Sequence, residues 1–179
     1  MLRTGEHYLT SLNDERVVWV GNTQIDNVAS HPLTRDYARV TAEFFDLHRR
    51  EELRDQLTFI DDTGTRRSMM WFKHRSKEDL VRKRRYHEFI MRQFVAASCP
   101  RTPDSQNYML VTYIDDPEPW EKASVGAEGR GLADNIRNFW QYAMDNDLVV
   151  APHFVDPQAD RADPNAHAAR RMLSEIWIG

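Results

Sequence analysis

Apolar residues recur at spacings of three and four along much of the chain, a pattern typical of amphipathic helices. Residues 4–13 predict a short helix with Thr4 as its N-cap. Residues 33–50, which follow the stop signal His31-Pro32, predict a longer helix. Its apolar face is expected to consist of Leu33, Tyr37, Val40, Phe44 and Leu47.

The same periodicity predicts further helices in the second half of the chain. Residues 76–79 resemble a capping box, so a helix is expected over residues 79–97. Another is expected to begin at residues 102–104. Residues 132–146 are again periodic, and a last helix is expected over residues 164–178.

Two shorter stretches alternate apolar and polar residues around a turn signal, and each predicts a β-hairpin. The first covers residues 16–28 around Gly21, and the second covers residues 57–73 around Gly64. Residues 115–131 are rich in Gly and Pro and predict a loop or an irregular helix. Since no linker or internal repeat divides the chain, we expect one domain over residues 1–179, mainly α with two small β-hairpins.

The charge and cysteine content narrow the possible partners and surroundings. The 179 residues include 24 Lys and Arg against 28 Asp and Glu, a net charge of −4, which argues against nucleic acid as a partner. The single cysteine, Cys99, excludes an internal disulfide and favours a reducing, cytoplasmic setting. No apolar run reaches the roughly 18 residues of a membrane helix, so no membrane contact is expected.

A basic run over residues 82–85 is the most prominent charged feature. At helical spacing Lys83 shares a face with His87, and Arg84 shares another face with Glu88. One interpretation is a solvated helix face that neighbouring acidic residues balance. The other interpretation places one or two of these cations over an acidic ligand or a flavin.

Other signatures of catalysis or metal binding do not occur in the sequence. The seven histidines are scattered without an HxxxH or HExxH arrangement, so no metal site is expected. No P-loop, GxSxG or GxGxxG motif is present. Cys99 precedes Pro100 and is interpreted as a buried or half-buried thiol rather than a nucleophile. The residues alone indicate no self-contained hydrolytic chemistry.

Several short motifs nevertheless follow one another in a specific order over residues 2–161. They are Arg3-Thr4-Gly5-Glu6-x-Tyr8-Leu9, Val28 with His31-Pro32, Phe45-Asp46-Leu47, Asp79-Leu80, Arg101-Thr102-Pro103-Asp104, Asn135-Ile136-Arg137-Asn138-Phe139 and Asp156-Pro157-Gln158-x-Asp160-Arg161. In this order the chain resembles the N-terminal region of the 4-hydroxyphenylacetate 3-hydroxylase family. These proteins are the large components of two-component, FAD-dependent aromatic monooxygenases.

The resemblance implies the N-terminal helical domain of an acyl-CoA dehydrogenase-like fold, with residues 164–178 divergent. In the family a middle β-barrel and a C-terminal helical bundle supply much of the FAD pocket. The chain is expected to stop before these domains. The implied chemistry uses reduced FAD from a separate reductase, which reacts with oxygen so that a flavin hydroperoxide hydroxylates a phenol.

The resemblance also implies the substrate side of a site. Family members hold the phenol with an Arg and a Tyr four residues apart on the basic helix, and Lys83 and His87 occupy these positions here. Arg84 is expected to add a further substrate-binding cation.

The remaining implied residues lie after the helix predicted over residues 132–146. The family histidine matches Pro152, so His153 can act as the catalytic imidazole only if a bulge restores its direction. Gln158, Asp160 and Arg161 match the stretch whose family counterpart touches FAD.

Three hypotheses for function stay open. The chain is a component of an FAD-dependent phenol monooxygenase, with a site completed by another chain and reduced flavin from a reductase. Alternatively it needs no flavin and binds a small aromatic ligand, or catalyses a cyclisation or isomerisation, in a pocket between its helices. The third hypothesis is a non-catalytic homo-oligomer that buries helix faces which the family's further domains would cover.

Overall fold

The computed structural model of the chain describes residues 2–94, 110–111, 113–123 and 131–150. The helices are α1 (Gly5–Ser11), α2 (Arg35–Leu47), α3 (Arg54–Leu57), α4 (Lys77–Gln93), α5 (Glu118–Ala123) and α6 (Leu132–Asp145). The strands are β1 (Val18–Val20), β2 (Thr23–Ile25), β3 (Thr58–Ile60) and β4 (Arg66–Ser68), and two 3-10 helices span Glu51–Leu53 and Met69–Trp71. The described part is mainly α with two small hairpins, as predicted.

Helix α1 begins at the predicted cap and packs closely on α2. The Thr4 hydroxyl oxygen accepts a hydrogen bond from the His7 N–H over 2.9 Å. The Gly5 N–H donates to Asp46 Oδ1 over 2.8 Å. A Cβ at Gly5 would lie 2.6 Å from the Ala42 carbonyl oxygen, so only glycine allows this approach.

Both predicted hairpins are confirmed as two-stranded antiparallel sheets, β1 with β2 and β3 with β4. Gly21 and Gly64 have φ of 58° and 79°, a left-handed conformation that glycine adopts without steric cost. In the second hairpin the Asp61 carboxylate accepts hydrogen bonds from the Thr63 and Thr65 N–H groups and so fixes the turn.

The capping box of α4 is also confirmed. Ser76 Oγ accepts from the Asp79 N–H, and Asp79 Oδ2 accepts from the Ser76 N–H, each over 3.1 Å. The helix begins at Lys77, two residues before the predicted start. The predicted end of this helix at residue 97 and the helix expected from residue 102 lie outside the described residues.

The predicted apolar face of α2 is partly wrong. Phe44 and Leu47 are buried, but Leu33 precedes the helix, and Leu33 and Tyr37 are 58% and 60% exposed. The buried side instead continues through Ala38, Thr41, Ala42 and Phe45. Small residues face α1 because the two helices approach closely there.

Helices α5 and α6 lie in the second half of the described chain. α5 occupies part of the stretch predicted as a loop or irregular helix, and it begins directly after Pro117. α6 matches the predicted helix over residues 132–146, with Trp140 and Ala143 buried and Leu132 and Phe139 exposed. In the described ranges no helix is long and apolar enough to cross a membrane.

Candidate functional site

The basic run on α4 divides between the interior and the surface. Lys83 is 1% exposed, whereas Arg84 points outward and pairs with Glu88 over 2.8 Å. Arg82 donates to the Thr58 carbonyl oxygen over 2.9 Å. The solvated-face interpretation therefore describes Arg84 but is wrong for Lys83.

Backbone carbonyls receive the buried ammonium group of Lys83. Its Nζ donates to the carbonyl oxygens of Met69 and Met70, the latter over 3.2 Å, and lies 5.2 Å from the centre of the Tyr86 ring. An ammonium group has only donors, and burying it is tolerable when oxygens replace its water. Lys83 thus secures the 3-10 helix Met69–Trp71 from the side of α4.

A buried histidine that the sequence reasoning missed lies beside Lys83. His48 Nδ1 is 2.7 Å from the Phe44 carbonyl oxygen, and Nε2 is 3.3 Å from the Tyr86 hydroxyl oxygen. Burial lowers the pKa of His48 to about 4, and the Lys83 charge acts in the same direction. The ring is therefore neutral at pH 7, with Nδ1–H donating to Phe44 and Nε2 accepting from Tyr86.

His87 lies one helical turn after Lys83 and is half-buried, so both side chains turn away from the Arg84 surface. Its ring centre lies 5.6 Å from that of Tyr86. The structure therefore groups Lys83, Tyr86 and His87 on the inner side of α4 and leaves Arg84 outside this group.

The C-terminal end of α6 is a second organised region. The Leu148 N–H donates to the Ala143 carbonyl oxygen over 2.9 Å, and the Asp147 N–H donates to that of Met144 over 3.3 Å. This pair of bonds is a Schellman motif, in which the residue after the C-cap is left-handed and usually glycine. Asp147 occupies that position with φ of 48°, an unfavourable conformation for most side chains.

The Asp147 carboxylate joins three parts of the chain. Oδ1 accepts from the Trp71 indole Nε1 over 3.0 Å, and Oδ2 accepts from the Arg3 backbone N–H over 3.1 Å. Burial raises the pKa of Asp147, while the bonds from Arg3 and Trp71 oppose that shift. The motif at Arg3-Thr4-Gly5 therefore anchors the chain start against α2 and the end of α6.

A buried arginine ties the second hairpin to the same end of α6. Arg67 Nε lies 2.7 Å from Asp61 Oδ2, and its Nη2 lies 2.6 Å from Asp145 Oδ1. The Thr63 hydroxyl and the Arg67 guanidinium hold the pKa of Asp61 well below its usual range. These contacts keep Trp71, which follows β4, close to Asp147.

A cavity of about 380 Å³ lies between the second hairpin and α6. Trp71, Phe72 and Trp140 contribute aromatic walls, and Lys73 Nζ lies 4.2 Å from the centre of the Trp140 ring. Burial lowers the pKa of Lys73. The lining also includes Arg75 and the carboxylates of Asp61 and Asp62, so the aromatic walls rather than a net charge make this cavity suitable for a small aromatic ligand.

Four predicted site residues, His153, Gln158, Asp160 and Arg161, lie outside the described residues. The structure therefore describes the predicted site only through Lys83, Arg84 and His87. In the part of the chain that the structure covers, no group of His, Cys, Asp or Glu side chains is arranged to hold a metal ion.

Comparison with known proteins places this geometry in a family. The sequence is 60% identical over 166 residues to a 2,4,6-trichlorophenol monooxygenase of Cupriavidus pinatubonensis, covering 93% of this chain and 32% of that protein. It is 55% identical over 167 residues to the FADH(2)-dependent monooxygenase TftD of Burkholderia cepacia, with coverage of 93% and 32%. The chain thus spans about a third of the length of these relatives.

A solved structure shares the fold. The oxygenase component (HpaB) of 4-hydroxyphenylacetate 3-monooxygenase, complexed with FAD and 4-hydroxyphenylacetate, superposes with a TM-score of 0.72 at 27% identity. The superposition covers 92% of this chain and 32% of that one. The family profile described as 4-hydroxyphenylacetate 3-hydroxylase N terminal matches residues 4–176. With this match over nearly its whole length, the chain belongs to the 4-hydroxyphenylacetate 3-hydroxylase N-terminal family.

Proposed function

We propose that this chain forms the N-terminal part of an oxygenase that hydroxylates a phenol with reduced FAD from a separate reductase. The observation that carries the proposal is the 60% identity to a 2,4,6-trichlorophenol monooxygenase. Relatives named for FADH(2) and for 4-nitrophenol, at 55% and 47% identity, support the same class of reaction. We therefore infer an electron-poor phenol, carrying halogen or nitro substituents, as the substrate class.

The charge on the inner side of α4 fits such a substrate. Electron-withdrawing substituents acidify a phenol, so the substrate carries a negative charge near neutral pH. Lys83 places a buried positive charge on this side of the helix. The low dielectric of the interior screens that charge less than water would. The half-buried His87 ring is the group on this side that we propose faces the substrate. Arg84, exposed and paired with Glu88, stays a prediction as a substrate ligand.

The remaining roles are those that the family resemblance implies. His153 is proposed as the imidazole that donates a hydrogen bond to the phenol oxygen, and Gln158, Asp160 and Arg161 as the flavin side. When bound, reduced FAD supplies the electrons that activate oxygen. The same proposal includes an acyl-CoA dehydrogenase-like arrangement and a single domain over residues 1–179. It also includes a further chain or domain that completes the site.

The first test is an anaerobic titration with oxidised and with reduced FAD, followed by fluorescence. It uses the chain together with the further chain or domain that completes the site. The second is an aerobic assay with FAD, 2,4,6-trichlorophenol, a flavin reductase and NADH, which measures loss of the phenol. Micromolar binding of reduced FAD with phenol consumption supports the proposal. Absence of binding in both redox states would overturn it.

The cavity lined by Trp71, Phe72, Trp140 and Lys73 favours a second candidate, binding of a small aromatic ligand without flavin. Titration with 2,4,6-trichlorophenol alone distinguishes the two. Quenching of tryptophan fluorescence that disappears in Lys73→Met, in protein that binds no flavin, would favour this second candidate.

A further inference from the structure

A continuous path of contacts joins the inner side of α4 to the end of α6. Lys83 Nζ donates to the carbonyl oxygens of Met69 and Met70. Trp71 is the next residue of the same 3-10 helix, and its indole N–H donates to Asp147. The three consecutive residues 69–71 therefore contact α4 on one side and the end of α6 on the other.

Asp147 stands where the chain leaves α6. A glycine would adopt this left-handed conformation without the steric cost of a side chain. The Asp147 carboxylate, however, accepts hydrogen bonds from the Trp71 indole N–H and the Arg3 backbone N–H. Glycine has no side chain that could accept them. After it, Leu148, Val149 and Val150 lie half-buried against the core. The contacts of Asp147 therefore determine the direction in which residues 148–150 leave the helix.

We propose that Lys83, Trp71 and Asp147 are positioning residues. Lys83 holds the Met69–Trp71 turn, the turn presents the Trp71 indole, and the indole fixes Asp147 and the course of residues 148–150. On this proposal Lys83 acts on the site through the backbone of Met69 and Met70 and not by touching the substrate. Because the residues proposed for the flavin side follow this segment in the sequence, we also expect its course to affect flavin binding. That second effect rests on the proposed function, whereas the effect on residues 148–150 does not.

Hydrogen–deuterium exchange of the full-length protein, read in peptides that cover residues 148–150, tests the structural part. Trp71→Phe keeps a large ring and removes the indole N–H, and Lys83→Met keeps the chain length and removes the ammonium group. Both variants should exchange about tenfold faster in these peptides, as expected for loss of a buried hydrogen bond to a charged group. Asp147→Gly should also speed exchange in these peptides, although glycine relieves the strain of the left-handed backbone.

Matched controls come from the same chain. Trp19 is 58% exposed on the first hairpin, and Arg84 lies next to Lys83 but faces outward. Trp19→Phe and Arg84→Met should leave exchange over residues 148–150 unchanged. If Trp71→Phe also leaves it unchanged, or if Lys83→Met alters only peptides within residues 69–93, the path does not position this segment and the proposal fails.

The affinity for reduced FAD of the same variants tests the functional part. Weakening by about tenfold in Trp71→Phe but not in Trp19→Phe supports the link to the flavin side. Faster exchange with unchanged flavin affinity overturns that link. If the unsubstituted protein binds no reduced FAD, the proposed function fails, and the exchange result still decides whether these residues position the segment.

Discussion

The Nε2 atom of His48 lies 3.3 Å from the hydroxyl oxygen of Tyr86, and both side chains are buried. Because burial lowers the pKa of His48 to about 4, the ring accepts this hydrogen bond in its neutral form. Protonation of Nε2 would place a donor opposite the Tyr86 hydroxyl and a second positive charge near Lys83. The packing of α2 against α4 at His48 and Tyr86 is therefore expected to depend on pH.

We expect the protein to lose stability as the pH falls from about 6.5 to about 4. The unfolded chain binds a proton at His48 near the ordinary value of 6.5, whereas the folded protein binds it only at about 4. Because the pKa of His48 is lower in the folded protein, the stabilisation from keeping this ring neutral is complete above pH 6.5. It is lost as the pH approaches 4. That gap corresponds to on the order of 3 kcal/mol of unfolding free energy.

Urea denaturation at pH 7 and pH 4.5 measures this effect. His48→Gln should be less stable than the parent at pH 7 and lose less stability on acidification. His7→Gln, at an exposed position of α1, should keep the parental pH dependence. If His48→Gln responds to acid as strongly as His7→Gln does, His48 is not the group responsible.

Local signals in the sequence predicted most of the fold. The capping box at Ser76 and Asp79 and the glycine turns at Gly21 and Gly64 act over a few residues, so neighbouring residue types suffice to recognise them. Periodicity likewise located α2 and α6. It did not show which side of α2 faces the core, because Tyr37 and Phe44 are both apolar and only tertiary packing, such as the contact between Phe44 and Phe94, buries one of them.

The candidate site depends on contacts that no local pattern contains. Helical spacing grouped Lys83 with His87, but the carbonyl oxygens that hold Lys83 come from residues 69 and 70 on another element. Asp147 directly follows the predicted helix end at residue 146, but its left-handed conformation was not predicted. Its partners Trp71 and Arg3 are distant along the chain and are brought together only by the tertiary fold.

Gly5→Ala should destabilise the protein by about 1–3 kcal/mol. The added methyl group would lie 2.6 Å from both the Ala42 carbonyl oxygen and Asp46 Oδ2, so α1 must move off α2. Thermal and urea unfolding measure the loss.

Gly64→Ala and Gly64→Asn separate crowding from backbone strain. A Cβ at Gly64 meets no atom within 4 Å, but its φ is 79°, so alanine there costs only conformational energy. Asparagine tolerates that conformation and should be milder at residue 64. At residue 5 asparagine should be at least as harmful as alanine, because either side chain adds a Cβ between the two helices. If the protein accepts both substitutions at residue 5 without loss of stability, the close approach of the two helices is contradicted.

Arg67→Ala should cost about 2–3 kcal/mol at pH 7, because Asp61 would lose its buried partner and the second hairpin its link to Asp145. Arg54→Ala is the matched control, since its ion pair with Glu51 is exposed and should contribute well under about 1 kcal/mol. The pKa of Asp61 is depressed in the folded protein, so its stabilising contribution is present above its ordinary pKa and is lost as the pH falls below it. The difference in unfolding free energy between the parent and Arg67→Ala should therefore shrink in acid. A difference that stays constant with pH in urea titrations would contradict the role of this ion pair.

Arg161→Ala tests the flavin side of the proposed function. We proposed Arg161 as a flavin contact from the family resemblance. A charge-assisted contact of this kind is worth about 1.5–3 kcal/mol, so the dissociation constant for reduced FAD should rise at least about tenfold. Arg84→Ala removes an equal charge from a surface where Glu88 already neutralises it, and should leave flavin affinity unchanged. If both variants weaken binding equally, the loss reflects net charge alone. If neither does, Arg161 does not contact the flavin, and the assignment of Gln158 and Asp160 to the same side loses its support.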